Sequence, residues 1–184
     1  FTQVYYHRTR RIYDYYLKQY MSAWNPFQGN LLNIMQYDDA DLITSIKRDS
    51  QNPDHPAYQY AKRICERQHH SIVFQTGEFA DAREERRARS LYEELEKVHP
   101  EYDFILDNPT GTIHKFFVPG QPDAGDEFQV FQDGKKKLLT EWSKIICNMP
   151  KQFKSIRIYV DQKEPTVLNS LKQEVVDIER RISA

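Results

Sequence analysis

The first twenty residues, Phe1 to Tyr20, constrain the fold of this chain more than any other stretch. Wound as an α-helix, at about 100° per residue, they place an apolar and aromatic set of side chains on one flank. This set comprises Tyr5, Tyr6, Ile12, Tyr13, Tyr16, Leu17 and Tyr20. The opposite flank carries the cationic set His7, Arg8, Arg11 and Lys18. We therefore predict an amphipathic helix that packs on a core through its tyrosines.

The cationic flank of this helix has two interpretations. Arginine and histidine donors spaced one turn apart can converge on the oxygens of one phosphate from a rigid scaffold. The same spacing also fits a half-buried helix whose charged face is only solvated. The pattern alone leaves both interpretations open.

Composition limits the classes of partner. The chain has 184 residues, is 39% hydrophobic and carries a net charge of −1, which suits one sizeable core or two small ones. With a net charge this close to zero, the protein as a whole does not attract nucleic acid or an anionic membrane. Any binding of an anion must therefore come from a local cluster of basic residues. No apolar run approaches the roughly twenty residues of a membrane span, and we predict no membrane partner. Cys65 and Cys147 lie in apolar helical patterns, which predicts buried thiols in a reducing, cytoplasmic compartment.

Helix-start signals predict three further helices before residue 100. Asp38 or Asp39 can cap the first, although a paired Asp-Asp could also bind a metal ion. Its inward residues would be Leu42, Ile43 and Ile46. The second helix covers 57–68, and His69-His70 at its end would interact with the helix dipole. The third covers 79–98, where Glu and Arg alternate at helical spacings and support an exposed helix.

After Pro100 the pattern changes to strands and turns. The predicted strands are 102–106, 112–118, 128–132 and 156–160. A turn is predicted at 119–126, and Asp133-Gly134 predicts a hairpin. A last helix begins at Pro165. The predicted fold is a mainly α N-terminal part, residues 1–78, followed by a small α+β lobe, residues 100–184. A charged helix, residues 79–99, connects the two.

The run Tyr-Tyr-His-Arg-Thr-Arg-Arg-Ile-Tyr at 5–13, with Asp38-Asp39 opening a later helix, resembles the C-terminal half of HD-domain deoxynucleoside triphosphate triphosphohydrolases. The segment 153–161 and the helix after it resemble that family's closing strand and helix. The resemblance implies that 1–78 continues an all-α HD domain. It also implies a divalent metal held by His, His-Asp and Asp, and no His-Asp dipeptide occurs in this sequence. We expect the catalytic and metal-binding residues to lie upstream of Phe1, and none in this chain.

The resemblance also implies roles for individual residues. Tyr5 would line the nucleotide pocket, and Tyr6 stands where the mammalian member has a base-contacting glutamine. His7 and Arg8 match positions that hold the phosphates of an activating nucleotide at a subunit interface. Arg11, one turn on, is added from helical geometry. The expected partners are deoxynucleotides and further copies of the chain, as a dimer or tetramer.

The same resemblance marks two departures. His70 and Phe74 stand where the family carries basic residues that contact the activating nucleotide. Two functions of other classes stay open. Aromatic residues interleaved with arginine near the N-terminus, together with Lys135 to Lys137, could bind single-stranded nucleic acid. The tyrosine flank and the last helix could instead serve only in oligomerisation.

Overall fold

The computed structural model describes residues 2–24, 37–112, 128–132, 134–150 and 152–183. Its helices are α1 (Thr2–Tyr5), α2 (Arg8–Trp24), α3 (Asp39–Asp49), α4 (Tyr58–Cys65), α5 (Ala82–Val98), α6 (Leu139–Trp142), α7 (Lys144–Cys147) and α8 (Pro165–Ser183). Its strands are β1 (Ser71–Gln75), β2 (Phe104–Asp107), β3 (Thr110–Thr112), β4 (Gln129–Gln132), β5 (Lys135–Leu138), β6 (Gln152–Lys154) and β7 (Arg157–Val160). The mixed α+β class is confirmed: helices dominate the first part and small sheets follow.

The strands form one three-stranded sheet, in the order β1-β7-β2, and two antiparallel pairs, β3-β6 and β4-β5. The chain divides into two compact units, Phe1–Ile72 with Tyr159–Ser170, and Val73–Ile158 with Leu171–Ala184. The boundaries predicted from sequence at 78 and 99 stay predictions. No helix among the described residues is long and apolar enough to cross a membrane.

The first unit is built on α2. Ile12, Tyr16 and Tyr20 are fully buried, as the flank pattern predicted. The prediction of one continuous helix is wrong, because α1 ends at Tyr5 and α2 begins at Arg8. Tyr5, before this break, is exposed, and so is Leu17.

Around Tyr20, α3 and α4 complete an apolar cluster. Its buried members are Tyr20, Ile46, Ala57 and Ala61. Asp38 caps α3 as predicted: its Oδ1 accepts the N–H groups of Ala40 and Asp41 at 2.8 and 2.9 Å. The inward placement predicted for Ile43 is wrong, since this side chain is 52% exposed while Leu42 and Ile46 pack on the cluster.

The prediction of two buried thiols is also wrong. Helix α4 stops at Cys65 rather than at residue 68, and Arg67 beyond it has a left-handed φ of 56°. Cys65 and Cys147 each occupy the last position of a short helix, and both are exposed. The apolar pattern assumed helices that continue past these cysteines, whereas α4 and α7 end at them.

In the second unit, α5 begins at Ala82 and is capped by Asp81, whose Oδ1 accepts from Arg83 and Glu84 at 2.7 and 2.8 Å. Its buried stripe is Ala88, Leu91 and Leu95. In α8, Leu171, Val175 and Ile178 recur at helical spacing and are buried, whereas Ile182 is 39% exposed.

The hairpin predicted at Asp133-Gly134 is confirmed. β4 and β5 are antiparallel, with Gln132 opposite Lys135. Gly134 has a φ of 72°, which glycine adopts without the steric cost of a Cβ. Asp133, the predicted turn at 119–126 and residues 113–118 of the predicted strand lie outside the described residues.

Candidate functional site

The start of α2 carries the predicted nucleotide-contacting residues. Between α1 and α2, the His7 ring accepts the Thr9 N–H at Nδ1, at 3.3 Å. The His7 carbonyl accepts the Arg11 N–H at 3.0 Å, so His7 and Arg11 lie one turn apart. The first turn of α2 contains no acidic residue. The partial positive charge at this helix start is therefore not offset by a carboxylate within that turn.

The arginines at this helix start differ in their partners. The Arg8 side chain is exposed, and no ion pair to it occurs among the described residues. Arg11 is half-buried and lies 3.9 Å from the Asp14 carboxylate. Arg10 lies 3.6 Å from the same carboxylate. Asp14 therefore offsets part of the charge of Arg11, while Arg8 directs its charge to solvent.

The two predicted pocket tyrosines precede this helix start. Tyr5 is 53% exposed, and the guanidinium of Arg10 lies 5.3 Å from the centre of its ring. Tyr6 is half-buried at the break between α1 and α2. An exposed ring held beside a guanidinium suits contact with a sugar or base, because the outer face of the ring and the outer face of the guanidinium can each stack on a ligand.

The backbone of the helix start is fixed by a residue far away in sequence. Tyr159, in β7, is 2% exposed and donates its hydroxyl to the Arg8 carbonyl at 2.9 Å. Ile156, Ile158 and Val160 alternate with polar neighbours in the sequence, a pattern that predicts a half-buried strand. That prediction is wrong: all four residues of β7 are buried, because β7 is the central strand of its sheet.

A second anchor holds α2 two turns further on. The Tyr16 hydroxyl accepts the His70 backbone N–H at 2.9 Å and lies 2.5 Å from His70 Nδ1. Burial raises the pKa of Tyr16 to about 12. His70 is 2% exposed, beyond the end of α4. The predicted dipole role for His70 is therefore wrong, and this side chain is not accessible to a nucleotide in this structure.

Arg63 and Asp161 form an ion pair beside Tyr16. The Arg63 guanidinium donates to Asp161 Oδ1 at 2.9 Å and also to Oδ2. It lies 5.8 Å from the centre of the Tyr16 ring. The hydrogen bond from Arg63 lowers the pKa of Asp161. Sequence reasoning missed this pair because 98 positions separate its members and neither belongs to a local motif.

The described residues contain no group of three or more His, Cys, Asp or Glu side chains that could hold a metal ion. Asp38 is occupied as a helix cap, which accounts for the Asp-Asp doublet without a metal. The divalent metal implied by the resemblance stays a prediction about residues upstream.

Comparisons with known proteins show that this chain is similar in fold to part of a solved structure. No family model matches this sequence, and no curated protein matches it. Among solved structures, a phosphohydrolase from Bacteroides thetaiotaomicron matches with a TM-score of 0.51 and 18% sequence identity. The match covers 88% of this chain and 46% of that one. This chain is thus similar in fold to less than half the length of a phosphohydrolase.

Proposed function

We propose that this chain is the C-terminal nucleotide-sensing and assembly portion of a metal-dependent HD phosphohydrolase. The parent enzyme would hydrolyse dNTPs to deoxynucleoside and triphosphate, with its metal ligands upstream of Phe1. The observation that carries the proposal is the exposed cationic start of α2, at His7 and Arg8, within the segment that resembles the family. The similarity in fold to a phosphohydrolase supports it.

Arg8 is the best-placed phosphate contact. Its carbonyl is held by Tyr159 at 2.9 Å, so its backbone is already ordered before a ligand binds. A guanidinium on an ordered backbone loses less freedom when it forms a bidentate contact with phosphate oxygens. Tyr5 and Tyr6, just before the break, would contact the sugar or base.

His7 would contribute through the ring nitrogen that does not cap α2. Its Nδ1 accepts the Thr9 N–H at 3.3 Å, which leaves Nε2 to donate to a phosphate oxygen. Arg11 would act over a longer range, because Asp14 already lies 3.9 Å from its guanidinium. We therefore rank the three contributions as Arg8, then His7, then Arg11.

Arg8→Ala in the full-length enzyme tests this function. Loss of charge-assisted hydrogen bonds worth about 1.5–3 kcal/mol should raise the activating nucleotide's half-maximal concentration by roughly 10- to 150-fold. Basal turnover without activator should change by less than about twofold, since Arg8 is not placed in the catalytic machinery. Steady-state rates measured against activator concentration give both numbers.

Arg180→Ala is the matched control, because Arg180 is an exposed arginine outside the candidate site that pairs with Asp177 at 3.4 Å. It should leave the activation curve within about threefold of wild type, as expected for loss of a surface ion pair. Nucleotide-dependent activation that is the same in Arg8→Ala and wild type would remove the assignment.

A further inference from the structure

The second unit contains a groove bounded by three elements. β1 and the two residues after it form one wall, through the consecutive residues 73–77, and α5 and α8 form the others. Every residue that lines the groove belongs to this unit. Its volume is about 490 Å³, within the roughly 300–1,000 Å³ of the pockets that hold small molecules in proteins. The groove is therefore large enough for a small ligand.

The middle of the groove is apolar. Val73 and Val175 line it with 7% and 3% of their surface exposed, so they form its floor. Phe74 is half-buried, with its side chain packed on a buried apolar cluster, and Val176 is 38% exposed. A ligand with an apolar body would remove the exposed parts of these two side chains from water, which favours binding.

Charged side chains line the rest of the groove, and most of them already have partners. Arg87 Nη2 in α5 lies 3.0 Å from Glu179 Oε1 in α8. Glu84 accepts the Asp81 N–H at 3.0 Å through Oε2, as part of the cap of α5. Lys172 is exposed, and its side chain makes no hydrogen bond or ion pair with the residues that the structure describes. Among these side chains, Lys172 carries the charge that is left for a ligand.

Lys172 lies at one end of the apolar part. Along α8, Lys172 precedes Val175 and Val176 by about one turn, and Glu179 follows them by about one turn. The helix rises about 1.5 Å per residue, so the interval from Lys172 to Glu179 spans about 10 Å. On this side of the groove, α8 thus presents a cation, then an apolar patch, then an ion pair.

This order of side chains limits the charge that a ligand can carry. A carboxylate has one negative charge at neutral pH, which one ammonium group can balance. A phosphate monoester carries about 1.5–2 negative charges, and the carboxylates of Glu84 and Glu179 would repel the excess. The lining therefore fits an elongated molecule with one carboxylate and an apolar body better than it fits a phosphate.

We propose that this groove binds a small amphipathic monocarboxylate, an aliphatic or aromatic acid. Its carboxylate would lie beside Lys172, and its apolar body would cover Phe74, Val175 and Val176. This site does not rest on the proposed function. It is read by the binding of an acid that contains no nucleotide, whereas the nucleotide proposal is read by turnover, so the failure of one can be told apart from the failure of the other.

Calorimetric titration of the full-length protein with 4-phenylbutyrate tests the site. This acid joins one carboxylate to an aromatic body, and 4-phenylbutyramide has the same body without the charge. The acid should bind at one site per chain with a Kd of about 1 mM or tighter. The amide should bind at least about tenfold more weakly, because it loses the charge-assisted contact with Lys172.

Lys172→Gln should weaken binding of the acid at least about tenfold and leave binding of the amide within about twofold. Lys144→Gln is the matched control, since Lys144 is an exposed lysine of the same unit, in α7, and does not line the groove. It should leave the affinity for the acid within about twofold of wild type. Both lysines are exposed, so neither substitution is expected to disturb folding.

Amide hydrogen exchange with and without the acid locates the site. Protection should rise at 73–77 and at 172–176, and not in α3. The proposal is overturned by the absence of binding, by equal affinity for acid and amide, by equal affinity of Lys172→Gln and wild type, or by protection that rises only outside the groove. It is also overturned if dATP displaces the acid and its own binding requires Lys172, which would assign this lysine to a nucleotide.

Discussion

Aromatic residues are used in opposite ways in α2 and in the β4-β5 hairpin. Tyr16 and Tyr20 of α2 are fully buried, and their hydroxyls bond His70 and Asp49, the latter at 2.7 Å. Phe131 of β4 has no polar atom and is 73% exposed. A buried hydroxyl needs a particular partner, so the tyrosines specify one arrangement of the first unit. The exposed phenylalanine buries little surface and adds little to the packing of its own unit.

Tyr16→Ala and Phe131→Ala test this difference between α2 and the hairpin most directly. Tyr16→Ala should lower the free energy of unfolding by about 3–5 kcal/mol, because it removes a fully buried aromatic side chain. Phe131→Ala should change it by less than about 0.5 kcal/mol. Urea unfolding at low protein concentration, where association is negligible, measures both. Similar losses in the two variants would mean that the hairpin is as tightly packed as α2.

Tyr16→Phe measures the contribution of the hydroxyl group apart from that of the ring. The change removes both hydrogen bonds to His70 and leaves its buried N–H unpaired, which should cost about 1–3 kcal/mol. Tyr13→Phe is the control in the same helix, since Tyr13 is half-buried and makes ring contacts to Tyr16 and His69. It should stay within about 0.5 kcal/mol of wild type. The same unfolding curves report both, and equal effects would assign the stability to the rings alone.

The features predicted correctly from sequence depend on residues close together in the chain. Helical spacing identified Ile12, Tyr16 and Tyr20 as buried, and the positions of Asp38 and Gly134 identified a cap and a turn. In each case the signal in the sequence lies within one helix or one turn.

The features that sequence reasoning missed depend on distant residues. The bond from Tyr159 to the Arg8 carbonyl joins positions 151 apart, and only the tertiary fold makes β7 a central, fully buried strand. The sequence did not predict the break before α2 for another reason. His7 caps this helix with its imidazole, whereas the residues that usually mark a helix start are Ser, Thr, Asp and Asn. The residues assigned to the candidate site therefore stay predictions, and the sequence did not predict the contacts that hold them in place.

The two units share one device, a capping box with an aspartate at the N-cap. Asp38→Ala in the first unit and Asp81→Ala in the second should each cost about 1 kcal/mol, because each carboxylate accepts two backbone N–H groups. Asp39→Ala loses only a favourable charge near a helix start and should cost less. Thermal unfolding of the three variants measures this. A clearly larger cost for one cap would show that the units differ in how far their helices depend on local signals.

The smallest effect expected is a pH dependence in the second unit, at His99. Its Nε2 lies 2.8 Å from Glu174 in α8, its Nδ1 lies 3.2 Å from Glu101, and its ring stacks on Tyr102. Burial works to lower the pKa of His99, but the hydrogen bonds to Glu174 and Glu101 outweigh it and the pKa is raised. A raised pKa in the folded state means that the stabilisation is complete below the ordinary histidine value, near 6.5, and is lost as pH rises through the folded value.

Wild type should therefore lose about 0.5–1 kcal/mol more stability than His99→Gln between pH 6 and pH 9. Glu174→Gln should lose less of its stability over this range than wild type, because it removes one of the carboxylates that favour the charged ring. Urea unfolding at several pH values gives the difference between the proteins, in which the contributions of all their shared groups cancel. An equal pH slope in wild type and His99→Gln would mean that His99 is held by packing against Tyr102. In that case a half-buried aromatic contact would stabilise the second unit, as buried ones stabilise α2, and only the hairpin would differ.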